Sequence, residues 1–171
     1  MNSKTYHRLD LAAAALLLVW VGMVLAFGIL IAPLLFSSLP SRDLAGMIAG
    51  RIVSRLDIAA FVAFAGAAAL VLLPRYLQEL GDEDLLGPLR LWGAAVIVAL
   101  LVCFASSFIV SPKLRTLRAT MNAPIETLAP DQPERAAYQR AHGISRQFMG
   151  LRLLLAIGLA LGVTALPRSK A

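Results

Sequence analysis

Four long apolar runs, separated by polar segments, dominate the pattern of the chain. The first covers residues 11–36 and is almost free of polar side chains. Its core, Leu11 to Ile31, has 21 residues, and about 20 are needed for a helix to cross the hydrocarbon of a bilayer. The apolar region of a signal peptide is only about 7–15 residues long. The first run therefore predicts an uncleaved membrane-spanning helix.

The other three runs predict spanning helices at 57–73, 91–110 and 151–166. The second run has only 16 uninterrupted apolar residues, so we expect its helix to take up a turn of the preceding segment. Ala32-Pro33 and Ser111-Pro112 mark the exits of the first and third spans. The pattern predicts one all-α membrane domain over residues 1–171, an integral membrane four-helix bundle.

Two connectors are predicted to contain amphipathic helical segments at the membrane interface. In the first connector, apolar residues recur at four-residue spacing, at Leu44, Ile48, Ile52 and Leu56. This period marks a helix that either lies at the interface or continues into the next span. The third connector starts with a short basic helix after Pro112. It ends in a second helix that begins near Asp131 and runs into the last span.

Composition and charge agree with a membrane protein. Hydrophobic residues make up 59% of the chain and charged residues 15%, and the mean hydropathy is +0.77, whereas soluble chains are about one-quarter charged. The net charge is +6, and the basic residues flank the apolar runs, which indicates contact with anionic lipid headgroups rather than nucleic acid. The candidate headgroup ligands are Arg51, Arg55, Lys113, Arg115 and Arg118. Lys/Arg counts of six and ten on the two sides, the latter over about twice the length, leave the orientation undecided.

Small residues at four-residue spacing occur in every span and predict close helix packing. Within lipid, helices associate mainly through close backbone approach, which small side chains permit. The candidate packing residues are Gly22, Ala26, Ala99, Cys103, Ser107, Gly158 and Gly162.

Candidate chemistry gathers on one side of the membrane. Asp57 and Arg152 each stand at the mouth of a span, and His142 and Ser145 share a helix face with Arg152. A charge close to hydrocarbon usually pairs or lines a polar cavity. Two interpretations stay open: an ion pair at the rim, or a polar mouth for a solute or partner.

Enzymatic and metal-binding signatures are lacking in the sequence. One cysteine and two histidines cannot form a closed tetrahedral zinc site, and no nucleophile elbow, phosphate loop or paired catalytic carboxylates occur. We therefore expect no enzyme activity, cofactor or metal site. His7 and His142 fall on opposite membrane sides and cannot share one haem, which leaves a single-histidine haem protein as a third hypothesis.

The chain also resembles a known family in a set of short segments. These are Trp20-Val21-Gly22, Ala32-Pro33-Leu34-Leu35-Phe36, Leu39-Pro40, Ala45-Gly46, Ser111-Pro112-Lys113-Leu114-Arg115-Thr116-Leu117-Arg118 and Ala141-His142-Gly143-Ile144-Ser145. In that order they resemble the transmembrane protein 205-like family, also called domain of unknown function 4149. Ala141 and Gly143 depart from the family pattern. The resemblance implies a four-helix integral membrane protein without a settled activity, and a relative's association with resistance to platinum drugs hints at export or trafficking.

Two functional hypotheses follow. The first is a non-enzymatic membrane module that acts through helix–helix contacts, as an accessory or assembly subunit or a homo-oligomer. The second is a transporter of a small solute or a metal that uses the polar mouth of Asp57, His142, Ser145 and Arg152. In either case we expect an integral membrane location, in the inner membrane if the source is bacterial.

Overall fold

The computed structural model describes residues 3–78, 83–121, 124–129 and 131–166. Within these residues every regular element is helical. The α-helices are α1 (Ser3–Ala26), α2 (Ala32–Ser38), α3 (Arg42–Gln78), α4 (Glu83–Ala105), α5 (Ser111–Thr120) and α6 (Pro133–Thr164). Two π-helical segments, Phe27–Ile31 and Ser106–Val110, join α1 to α2 and α4 to α5, and a short 3₁₀ turn covers Ile125–Thr127. The centre of the acidic second connector, residues 79–82, and the basic tail after Leu166 lie outside the described residues.

Four helical stretches are long and apolar enough to cross a membrane, which confirms the predicted all-α four-helix bundle. They cover Ser3–Ser38, Arg42–Tyr76, Gly87–Thr120 and Pro133–Thr164. Each stretch begins before the apolar run that predicted it, and the first three also end beyond it. The amphipathic segment of the first connector is the amino-terminal part of α3, which runs as one helix from Arg42 to Gln78 and continues directly into the span.

The bundle has an up-down-up-down arrangement in which each spanning helix packs against two others. The neighbouring pairs are α1 with α3, α3 with α4, α4 with α6, and α6 with α1. Consequently α3 and α6 occupy opposite corners. The interior is filled by apolar and small side chains; the largest of the fully buried ones include Trp20, Phe64, Leu17 and Val96. Trp20 and Phe64 pack at a ring-centroid distance of 5.8 Å.

The expected helix ends at Pro33 and Pro112 are wrong, because both helices continue through the proline. A proline ring clashes with the carbonyl four residues before it and has no N–H to donate. Here that carbonyl belongs to a π-helical segment in both cases. The residue before the proline donates its backbone N–H to the carbonyl five residues earlier, instead of four. Ala32 donates to the Phe27 carbonyl, and Ser111 donates to the Ser106 carbonyl. The wider turn thus accommodates each proline without ending the helix.

The same construction therefore occurs twice along the chain. The first hairpin joins α1, α2 and α3, and the second joins α4, α5 and α6; each has a π-helix followed by a proline in its first arm. Each also has a tryptophan whose indole N–H bonds a carbonyl of the second arm: Trp20 to Leu56 at 2.9 Å and Trp92 to Leu159 at 3.0 Å. The bundle is a pair of similar hairpins that run in the same direction.

Candidate functional site

An ion pair crosses the bundle between the opposite helices α3 and α6. The nearest oxygen of Asp57 lies 2.7 Å from Nη1 of Arg152, and the side chains are only 4% and 1% exposed. Because α3 and α6 sit at opposite corners, the two side chains meet near the bundle axis. The pair therefore closes the bundle interior at one end of the spans.

Polar and sulfur-bearing side chains surround this pair. The Ser111 hydroxyl, at the start of α5, donates to Asp57 at 3.4 Å. Met149 places its sulfur 3.7 Å from Nη2 of Arg152, and the Cys103 thiol lies against the same guanidinium. Nε of Arg152 is buried without a hydrogen-bond acceptor among the described residues. We call Asp57, Cys103, Ser111, Met149 and Arg152 the axial cluster.

A second buried ion pair lies at the opposite end of the spans. The two terminal nitrogens of Arg75 contact the two oxygens of Asp10, each at 2.9 Å, and both side chains are at most 3% exposed. Arg75 also donates to the Val71 carbonyl at 3.2 Å and stacks over the Tyr6 ring at 5.2 Å. The contact between Nη2 of Arg75 and Oδ2 of Asp10 is a charge-assisted hydrogen bond, and the second contact adds to the ion pairing. The pair joins α1 to α3, within the first hairpin.

The two ion pairs mark the borders of the apolar zone. Asp57 and Arg75 are 18 residues apart on the single helix α3, a rise of roughly 27 Å. The hydrocarbon of a bilayer is about 30 Å thick. Each buried pair therefore sits close to one hydrocarbon border, where a charge is less unfavourable than at the midplane.

The remaining two residues of the predicted polar mouth lie apart from the axial cluster. Ser145 is half-buried, and His142 is exposed on α6, with its ring stacked parallel to Tyr138 at 6.2 Å. Ten residues of helix separate His142 from Arg152, about 15 Å. The structure brings together Asp57 and Arg152 but neither of the other two. His7 and His142 are both exposed and on opposite sides of the membrane-spanning zone.

The predicted packing residues divide between the inside and the outside of the bundle. Ala99 and Cys103 are fully buried, and Ser107 and Ala26 are half-buried. A Cβ on Gly162 would meet the Trp92 ring at 3.4 Å. By contrast, Gly22 and Gly158 are exposed, and a Cβ on either has nothing within 4 Å. These two glycines have no packing partner within the described chain.

Most of the candidate headgroup ligands are exposed on the side of Asp57. Arg51, Arg55, Lys113 and Arg115 are exposed, whereas Arg118 is half-buried and forms an ion pair with Asp43. This third ion pair ties α5 to the start of α3. The exposed four occupy the height at which headgroups would lie.

Three features of the site were not anticipated from sequence. Asp10 and Arg75 lie 65 residues apart, and each looks like an ordinary charged residue at a span end. The predicted four-span layout placed both residues on one side of the membrane, but it did not indicate that they form a pair. Ser111 carried no signal, since a serine before proline is common. The spacing places Met149 on the same helix face as Arg152, but it did not indicate a contact between the two side chains.

Comparison with known proteins places the chain in one family. No curated protein and no solved structure matches it. A family model described as a domain of unknown function, DUF4149, matches residues 15–123, which is nearly two-thirds of the chain and includes three of the four spanning helices. The chain therefore belongs to the DUF4149 family of proteins of unknown function.

Proposed function

We propose that this protein is a non-enzymatic membrane module that acts through helix–helix contacts with another membrane protein or a further copy of itself. The observation that supports this role is the outward position of Gly22 and Gly158, each with open space where a Cβ would be. Within lipid, such positions allow a second backbone to approach closely.

The closed interior of the bundle also favours this role. Four charged side chains are nearly fully buried in the described residues, Asp10, Asp57, Arg75 and Arg152, and all four are in ion pairs. Charges that are paired in this way hold helices together, and each of the four already has a counter-charge within the bundle. The outer surface of the bundle is then the part of the protein that is available to contact a partner.

We further propose that the protein is of the transmembrane protein 205-like type and that its basic side faces anionic headgroups. Arg51, Arg55, Lys113 and Arg115 are the exposed cations that would make this contact. If the source is bacterial, the inner membrane supplies such lipids.

The test uses glycines that are equally open but differ in position. Gly22→Leu and Gly158→Leu place bulk on the outer faces of two spans, and Gly50→Leu places it at an open position outside the apolar zone. All three exchange a helical glycine for leucine, so their intrinsic helix propensity rises by a similar amount.

The tagged chain would be extracted from its native membrane in mild detergent, and the mass and composition of the assembly measured. We expect a stoichiometric membrane partner or oligomer that is lost in at least one of the two span variants and kept in Gly50→Leu. A monomer without a partner for the unaltered chain would overturn the proposal.

A transporter of a small solute or metal is the second candidate, and the axial cluster is the observation that favours it. Cys103 and Met149 offer sulfur donors suited to a soft metal, and Asp57 offers a carboxylate. The guanidinium of Arg152 lies among them, however, and its positive charge disfavours a bound cation. Liposome uptake that decreases in Asp57→Asn and Cys103→Ser but not in Gly50→Leu would support transport, and uptake indifferent to both would exclude these residues.

A further inference from the structure

The apolar part of the first span is longer than that of its neighbours in the bundle. The run from Leu11 to Phe36 has 26 residues, which is roughly 39 Å of helix, compared with a hydrocarbon thickness of about 30 Å. The apolar run of the α3 span has 16 residues and that of the α6 span, after Arg152, has 14, about 24 Å and 21 Å of helix. An excess of about 9 Å therefore projects from the first span at its carboxyl end.

Tilting does not remove this excess. A long helix in lipid can tilt to fit the bilayer, but α1 packs against both α3 and α6 along its length. A tilt of the whole bundle would bring Arg55 and Arg51 of α3 into the hydrocarbon. These two cations are exposed and lie two and six residues before Asp57 in the chain, on the side where the excess projects. Lipid tails therefore do not cover the end of the first span.

The projecting segment is nevertheless exposed. Ile31, Leu34 and Phe36 are 40%, 64% and 47% accessible in the described chain. Apolar side chains of this size above the hydrocarbon border would face headgroups and water. Such a contiguous apolar surface, rimmed by polar residues, marks an interaction site.

The exposed face of α1 continues this segment toward the membrane centre as a regular seam. It consists of residues at alternating spacings of four and three, namely Ala15, Val19, Gly22, Ala26 and Ile29, of which all but the half-buried Ala26 are exposed. The seam lies opposite the helix face that carries Leu17 and Val24 into the core. Alternating spacings of four and three keep these residues on one face of the helix, and helices that pack side by side use such a face.

We propose that the seam and the projecting segment are covered by the same surface of a second copy of this chain, so that the protein is a parallel homodimer. This inference rests on the proposed function and specifies its partner. All copies inserted in one direction share one orientation, so a two-fold axis along the membrane normal brings equal heights together. A second copy therefore supplies an apolar projection of the same length at the same height, and both projections become buried.

The test relies on disulfide formation between single introduced cysteines. The native Cys103 is 0% exposed and does not compete. Val19→Cys and Ile29→Cys lie on the seam, whereas Val62→Cys on α3 and Ile97→Cys on α4 are matched controls with exposures of 59% and 60%. Disulfides require a Cβ–Cβ separation of about 3.5–4.5 Å, which seam residues near a two-fold axis satisfy.

Oxidation would be carried out in native membranes at low expression. We expect the seam variants to form covalent dimers at least about tenfold more than the controls, and Gly22→Leu in the Ile29→Cys chain to reduce the yield by a similar factor, while Gly50→Leu leaves it unchanged. Equal yields at seam and control positions, or none at the seam, would overturn the dimer. If no seam disulfide forms but a different protein co-purifies, the proposed function stands without this inference; a monomer without any partner refutes both.

Discussion

The indole nitrogen of Trp20 lies 2.9 Å from the backbone carbonyl oxygen of Leu56, one residue before the buried carboxylate of Asp57. The bond ties the first span to α3 at the height of the ion pair that crosses the bundle. Trp20 is 1% exposed and packs on Phe64. It combines a large apolar contact with a buried hydrogen bond.

Replacing this tryptophan is expected to weaken the bundle. Trp20→Phe removes the donor and part of the buried volume, so we expect the free energy of unfolding to fall by about 1–3 kcal/mol. Thermal unfolding in detergent measures the change. Phe61→Leu, at a position that is 46% exposed, is the control and should change it by less than about 0.5 kcal/mol. Equal effects would contradict the proposed role of the hydrogen bond.

The Asp57–Arg152 pair is expected to show strong coupling between its members. Asp57→Asn leaves the Arg152 charge buried and uncompensated, and we expect a loss of about 3–5 kcal/mol. The double variant with Arg152→Met removes both charges and should recover most of that loss. The measurement is a double-mutant cycle of unfolding in detergent. A double variant that is no more stable than Asp57→Asn would show that the two charges act separately.

The Asp43–Arg118 pair is expected to contribute little by comparison. Its side chains are 33% and 31% exposed, so water and salt screen the charges. We expect Arg118→Ala to lower the free energy of unfolding by no more than about 1 kcal/mol. The difference from the unaltered protein should shrink as salt is raised from low to physiological concentration. A salt-independent loss of the size expected for Asp57→Asn would contradict this ranking.

Two glycines are expected to respond differently to alanine. A Cβ on Gly66 would lie 2.8 Å from the end of the Leu16 side chain, whereas a Cβ on Gly158 has nothing within 4 Å. Gly158→Ala should stabilise the isolated bundle by up to about 1 kcal/mol through helix propensity. Gly66→Ala should gain less, because Leu16 must move. The comparison is made by thermal unfolding of both variants in the same detergent; a larger gain at Gly66 would contradict it.

The fold follows from sequence to a greater degree than the site does. Long apolar runs identify four spans because a helix satisfies the hydrogen bonds of its own backbone in lipid. Proline gave a misleading helix end at Pro33 and Pro112, since a π-turn depends on neighbouring packing that local patterns do not contain. The position of Asp57 and Arg152 at two span mouths indicated where charge would gather. It did not reveal that the bundle places them across its axis.

Contacts between segments that are distant in the sequence were the part of the structure that the sequence predicted least well. Asp10 lies next to a basic segment and Arg75 next to an acidic connector, so each has a plausible local partner in the sequence. Only the packing of α1 against α3 brings them together. Likewise, the small-residue spacing identified both Gly22 and Ala99, and the bundle geometry separates the outer position from the inner one.

The two buried ion pairs differ in sequence separation, and this decides when each pair can form during synthesis. Arg75 follows Asp10 by 65 residues and belongs to the same hairpin, whereas Arg152 follows Asp57 by 95 residues and arrives with the last helix. At about 5–20 residues per second, the ribosome needs roughly 5–20 s to make that stretch. During this interval the Asp10–Arg75 pair can already join α1 to α3, while Arg152 has not yet been made and Asp57 has no counter-charge. The nascent protein therefore passes through a stage in which the Asp57 carboxylate has no counter-charge from α6.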